Sequence, residues 1–186
     1  MDDIAKELGI SKRTIYQHFA DKEAILRLVI EEELNSQQCE IEKLDEDSNN
    51  PIGQMIEVSR QIRICMMNMN PTLFYDLKKY YPEAWNLFLK FRNEYILPGI
   101  RENMTEGIQL GLYRSDIDVD ILSQLRIGQI ELAFDPTAYP PSKYNIEDIQ
   151  VQFIHHFLRG ILTKKGFELY NTIKNKTAIE FNTHEK

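Results

Sequence analysis

The sequence predicts an all-α protein, with a helix-turn-helix head joined to a larger helical bundle, and three observations carry that prediction. Apolar residues recur at three-and-four spacing in segment after segment of the 186 residues. The interruptions fall at helix punctuation: Gly9, the polar stretch Asp45–Asn50, Asn70-Pro71, Gly111 and the proline-rich 135–145. The composition, 42% hydrophobic and 27% charged, is that of an ordinary globular chain able to hold one substantial core or a small domain beside a larger one.

Asp2–Phe19 reads as a helix, a tight turn and a second short helix. Ile4, Ala5 and Leu8 share a face, and Gly9 supplies a turn in which a positive φ costs glycine little. Ile10 plugs the corner, and Ser11 is placed to cap the next helix by accepting from a free N–H of its first turn. At about 100° per residue, Ile15 and Phe19 share one side of that helix. Arg13, Thr14 and Gln17 fall opposite, with Tyr16 and His18 on the flanks. Lysine and arginine suit guanine O6/N7, glutamine suits adenine, and threonine offers its methyl to thymine, so this side is chemically fit for a DNA major groove. A plain amphipathic hairpin is the alternative for such a pattern.

Asp21 is placed to cap a third helix, whose stripe is Ile25, Leu26, Val29 and Ile30 and which runs through Glu31–Glu33 toward Leu44. The formal charge of −7 is concentrated here. Residues 1–30 balance, residues 31–50 set eight acidic residues against Lys43 alone, and the remainder balances. Lys12, Arg13 and Lys22 stay a local positive cluster, because an acidic stretch beyond a Debye length of roughly 8–10 Å repels DNA little.

Pro51 suits the first turn of a fourth helix carrying Ile52, Met55, Ile56, Ser59, Ile62, Met66 and Met69. Asn70-Pro71 ends it, and Thr72–Tyr81 follows with Leu73, Phe74 and Leu77 inward. Pro82 opens a long helix with Trp85, Phe88, Leu89, Phe91, Tyr95 and Ile96, which Pro98-Gly99 is expected to kink or break before it resumes to Leu110. Met55, Ile62, Met66, Phe74, Trp85, Phe88 and Tyr95 offer the deformable and aromatic walls of an apolar pocket. Each taken singly is equally at home in a packed core.

After the loop Tyr113–Asp118, Asp118 caps a helix through Val119, Leu122, Leu125 and Leu132. Asn145 with Asp148 resembles a capping pair for a helix bearing Ile149, Phe153, Ile154, Phe157 and Ile161. Both contain a glycine, Gly128 and Gly160, disfavoured by about 1 kcal/mol against alanine, a cost that makes sense where backbones pass close. Thr163 starts a last amphipathic helix.

The run Asp3-Ile4-Ala5…Gly9-Ile10-Ser11…Thr14-Ile15-Tyr16-Gln17-His18-Phe19…Lys22-Glu23…Leu26 resembles the DNA-binding signature of the TetR family of transcriptional regulators. The resemblance covers about the first thirty residues. It implies a DNA-binding head and connecting helix over 1–44 and a ligand-binding and dimerisation domain over 45–186. It implies a palindromic double-stranded DNA operator bound by a homodimer, with Lys12, Arg13, Thr14 and Gln17 at base edges and Tyr16, His18 and Lys22 on phosphates. It implies a small apolar or amphipathic effector that alters the spacing of two heads, most simply in a repressor. It also implies that the last two large helices pair with their symmetry mates, which puts Leu125, Gly128, Leu132, Phe153, Phe157 and Gly160 at the dimer interface. Heads of this family have three helices, so a first helix is expected upstream of Met1.

No catalytic constellation is present in the sequence. His18, His155, His156 and His184 have no glutamate three residues before them, and there is no phosphate loop or nucleophile elbow. Cys39 and Cys65 suggest neither a disulfide framework nor zinc. No metal or cofactor is expected, no membrane partner, and a cytoplasmic setting fits. The alternative reading is a helical dimer that binds a small molecule or a protein without DNA.

Overall fold

Capping chemistry sets most of the element boundaries. The computed structural model describes residues 1–47, 50–67 and 73–182, and every element among them is helical. In order these are α1 (Asp2–Glu7), α2 (Lys12–His18), α3 (Lys22–Asp47), α4 (Pro51–Met67), α5 (Leu73–Tyr80), α6 (Pro82–Phe91), a π-helical turn (Arg92–Ile96), α7 (Leu97–Gln109), α8 (Val119–Leu132), α9 (Ile146–Ile161) and α10 (Lys164–Asn182). The expected break at Asn70-Pro71, with Met69 beside it, lies outside the described residues.

Asp21, Asp118 and Asn145 accept from the backbone N–H of Ala24, Ile121 and Glu147 at 2.8, 2.9 and 2.8 Å, the caps expected of them. Thr163 Oγ1 accepts from Gly166 N at 3.1 Å and starts α10. Gly9 (φ 64°) and Gly111 (φ 68°) end α1 and α7 in the same way. In each, the glycine N–H bonds the carbonyl three residues back and the next N–H bonds the carbonyl five back, at 2.8–3.2 Å, closing a Schellman turn.

Pro98 does not break its helix. Its missing N–H and its ring, which crowds the carbonyl four residues earlier, are accommodated in the preceding turn. That turn widens to π geometry, and Leu97 N–H reaches back to Arg92 O. A continuous helical run from Pro82 to Gln109 results.

The core lies where α4, α7, α9 and α10 meet. Ile52, Met104, Tyr113, Leu158 and Tyr170 have 1% or less of their surface exposed. A single antiparallel bridge, Tyr113 to Leu162, ties the α7–α8 link to the end of α9. The glycines demanded by close packing are Gly107 and Gly166: a Cβ would run into the Tyr113 ring at the first and the Leu112 carbonyl at the second. Gly128 and Gly160, read from sequence as sites of close approach, meet nothing within 4 Å in their own chain and face outward.

Helix α3 packs on α6 and α4. Val29, expected on its buried stripe, is 54% exposed, because Ile25, Leu26 and Ile30 occupy the packed side. His155 is half-buried with Nδ1 2.8 Å from the Tyr170 hydroxyl, while His156 is exposed.

Candidate nucleic-acid interface and ligand cavity

The second helix is built as a two-sided rod. Ser11 caps it through Thr14 N at 3.1 Å, and Ile15, 4% exposed, anchors its rear together with half-buried Phe19. Lys12, Arg13, Tyr16, Gln17 and His18 are exposed. Thr14 is half-buried, its hydroxyl 2.9 Å from that of Ser11. Lys12 Nζ lies 2.5 Å from Asp2 Oδ1, and the bond lowers the Asp2 pKa. Both side chains are solvent-exposed, so the pair opposes a phosphate only weakly. Lys22 sits at the foot of α3 with Nζ 5.3 Å from the Tyr81 ring centroid, and contact with Tyr81 raises its pKa. The head also presents Ile4, Leu8 and Ile10 at 38%, 63% and 42% exposure.

A cavity of about 410 Å³ opens between α3, α4, the π turn with α7, and α8. Met55, Ile62 and Tyr95 of the expected pocket residues line it, beside Ile41, Val58, Ile96, Ile100 and Ile130. The volume falls in the usual range for small-molecule sites, about 300–1,000 Å³. The π turn shapes one wall, presenting Glu94, Tyr95 and Ile96, and the Tyr95 hydroxyl donates to the Gln38 carbonyl of α3 at 3.3 Å. Arg92 Nη1 pairs with Glu131 Oε1 at 2.7 Å and fastens the turn to α8.

Two expected pocket residues are elsewhere. Trp85 and Phe88 are one helical turn apart on α6 with their rings tilted at 32° and centroids 5.0 Å apart, and Lys78 lies over the Trp85 ring; neither is among the residues lining the cavity. Helix α6 gives no residue to the cavity wall and packs on α3 and α5. The Met66 and Phe74 side chains lie outside the described residues.

Of the polar contacts the sequence offers, Asp76, Glu94 or Tyr95, the last two line the cavity, and Gln54, Asn103 and Arg126, which the sequence reading does not single out, add to them. Buried Asn103 donates from Nδ2 to the Pro51 carbonyl at 2.9 Å and also to Gln54 Oε1, and it accepts from the Tyr113 hydroxyl at 3.2 Å. Burial pushes the Tyr113 phenol pKa upward. Arg126 sits in phase with Ser123, Ile127 and Ile130 on α8, an inward register where an apolar residue is the norm. That misfit of residue type and register was the available signal.

The α8 helix carries a second apolar stripe on its outer side. Ile121, Leu125 and Leu132 are 66%, 50% and 43% exposed, with Gly128 in the same row. On α9, Gly160 is exposed and Phe153 is half-buried against Tyr139 at 5.7 Å. Phe157, expected at an intersubunit interface, is 4% exposed and packs in its own core, because it shares the inward face of α9 with Ile154, Leu158 and Ile161.

A two-sided short helix after a tight turn, a long helix that follows it and a cavity beside that helix make up an architecture that can be compared with known proteins. Residues 1–29 match the family model described as bacterial regulatory proteins, tetR family. The chain is 28% identical over 145 residues to the uncharacterized HTH-type transcriptional regulator YvaF of Bacillus subtilis (strain 168), covering 75% of this chain and 73% of that one. It is 25% identical over 169 residues to the fatty acid metabolism regulator protein of the same organism, covering 87% and 84%. The solved structure of the transcriptional regulator FadR from Bacillus subtilis in complex with stearoyl-CoA superposes with a TM-score of 0.62 at 22% identity, covering 86% and 87%. The head of this chain thus matches the TetR family model, and the chain is similar in sequence and in fold to TetR-family transcriptional regulators.

Proposed function

We propose that this chain is a homodimeric, cytoplasmic, effector-responsive repressor that binds a palindromic operator and performs no catalysis, with residues 1–44 as head and connecting helix and 45–186 as the effector and dimer domain. The supporting observation is the exposed polar side of α2, Arg13 and Gln17 with Lys12, Tyr16 and His18, opposite buried Ile15. Lys12, Arg13, Thr14 and Gln17 read base edges; Tyr16, His18 and Lys22 hold phosphates and set register. Two heads related by a two-fold axis address half-sites about 34–36 Å apart, or a multiple of that. The outer stripe of α8 with Phe153 and Gly160 of α9 joins the two copies, since exposed apolar rows with small residues between them suit close helix packing.

The effector is a small amphipathic molecule with a hydrocarbon part, in keeping with the apolar wall of the cavity and with the fatty-acid regulator among the relatives. The cavity touches α3 at Ile41, nineteen residues from Lys22, which at about 1.5 Å per residue is a lever of about 28 Å. A tilt of roughly 10° at Ile41 moves the head by about 5 Å, enough to spoil half-site register. The effector must bind the tilted arrangement more tightly than the DNA-competent one.

A mobility-shift titration on the intergenic DNA beside the gene, over a salt series and with dodecanoate or dodecanoyl-CoA added, tests this reading. Salt-sensitive binding that either amphiphile releases is the expected result. Amphiphile binding with no DNA binding at any salt would point instead to a DNA-independent binding module.

A further inference from the structure

Arg126 is the one cation among the described residues lining the cavity, and no ion pair joins it to a carboxylate of the described residues. It is 2% exposed. Nη2 donates to Ser59 Oγ at 3.0 Å, and Ser59 Oγ in turn donates to the Met55 carbonyl at 2.7 Å. The guanidinium carbon lies 6.0 Å from the Phe157 ring centroid. Nη1 is buried and has no hydrogen-bond partner. Four carboxylates also line the cavity, but Glu42, Glu94, Glu102 and Glu106 are all exposed and mark its solvent side. The charge is therefore reversed between mouth and interior.

A buried guanidinium with an unsatisfied donor is costly, and the cost is relieved when an anion arrives to meet it. Desolvation depresses its pKa to about 10, still far enough above neutrality that the group stays charged. Inside the mouth, the rest of the wall is mostly apolar, with Gln54, Ser59 and Asn103 as neutral polar groups. Ligands with several phosphates fit poorly: their charge would lie among the mouth carboxylates, and an acyl tail entering first would set methylenes against Arg126. A thioester carbonyl turned inward offers only a neutral acceptor, weaker than a carboxylate.

Resting on the effector-responsive reading above, we infer that the effector is a free hydrocarbon-chain carboxylate bound head first, its carboxylate paired with the Arg126 guanidinium and its chain along the apolar wall. At about 30 Å³ per water-sized group, the 410 Å³ cavity accommodates a chain of roughly ten to fourteen carbons.

Isothermal titration of the full chain, stripped of bound lipid, with dodecanoate, 1-dodecanol and dodecanoyl-CoA tests the inference, using wild type, Arg126→Met and Arg126→Lys. Circular dichroism verifies that each variant is folded. Wild type is expected to hold dodecanoate at least about 10-fold more tightly than the alcohol. Arg126→Met is expected to lose about 10- to 100-fold for dodecanoate and little for the alcohol, with Arg126→Lys in between. Equal affinity for acid and alcohol, an unchanged dodecanoate affinity in folded Arg126→Met, or tighter binding of the thioester would each overturn the inference while leaving an effector cavity in place. Failure of all three ligands to bind would remove the cavity reading as well.

Discussion

Replacing Arg126 by methionine should make the ligand-free protein more stable, an unusual expectation for a side chain only 2% exposed. Burial lowers the guanidinium pKa from its ordinary value to about 10, equivalent to about 3 kcal/mol of lost solvation at neutral pH. Methionine gives up the bond to Ser59, about 1 kcal/mol, and the contact with Phe157, about 0.5–1 kcal/mol. Ser59 is not orphaned, since its hydroxyl still donates to Met55 O. The balance is a gain of about 1 kcal/mol, or about 2–4 °C in Tm for a chain of this size. The linkage sign follows from the direction of the shift. The unfolded arginine binds its proton more tightly than the folded one, so wild-type stability recovers only as pH rises through about 10, and the deficit is complete throughout pH 5–8. Calorimetric melts of lipid-free protein at matched concentration, across pH 5–8, should therefore show a constant gap in favour of Arg126→Met. A Tm lowered by several degrees would mean that the guanidinium is already satisfied in the free protein, and the argument for an incoming anion would fail.

Gly166→Ala should destabilise by about 1–3 kcal/mol, since its Cβ would meet the rigid Leu112 carbonyl; a chemical melt measures it, and no change would refute the packing described. Leu125→Glu, at a residue 50% exposed, should leave the monomer folded but shift sedimentation toward monomer at micromolar concentration, whereas an unchanged profile would put the dimer contact elsewhere. Gln17→Ala should relax preference at one base position and Lys22→Ala should weaken binding to all DNA and flatten its salt dependence; identical effects on every sequence in anisotropy titrations would undercut the roles given to them.

How much of this was legible in the sequence depended on whether the signal was local. Ser11, Asp21, Asp118 and Asn145 cap where they were expected to, and Gly9 and Gly111 turn where they were expected to, because capping and positive-φ turns involve neighbours in the chain. Pro98 announced a disturbance, but not that a π turn upstream would absorb it and shape a cavity wall. Trp85 and Phe88 are no different in type from Met55, Ile62 and Tyr95; only the tertiary arrangement of α6 against α3 and α4 decides which of them face the cavity. The packing glycines illustrate the same limit. Gly107 and Gly166 are required by Tyr113 and by the Leu112 carbonyl, partners that no helical period announces. Phe157 and Leu125 both look apolar and periodic, and only their registers on α9 and α8 separate core from surface. Arg126 was detectable in principle as a charge in an inward register, though the empty side of its guanidinium was not.

The account as a whole turns on α2 as a DNA-reading rod carried by a two-fold dimer. Selection of binding sites from a random duplex pool by the purified chain tests this most directly. An enriched inverted repeat with half-site centres about 34–36 Å apart, or a multiple of that, is the result the account predicts. Recovery of no enriched sequence, or of a single unpaired half-site, would contradict it.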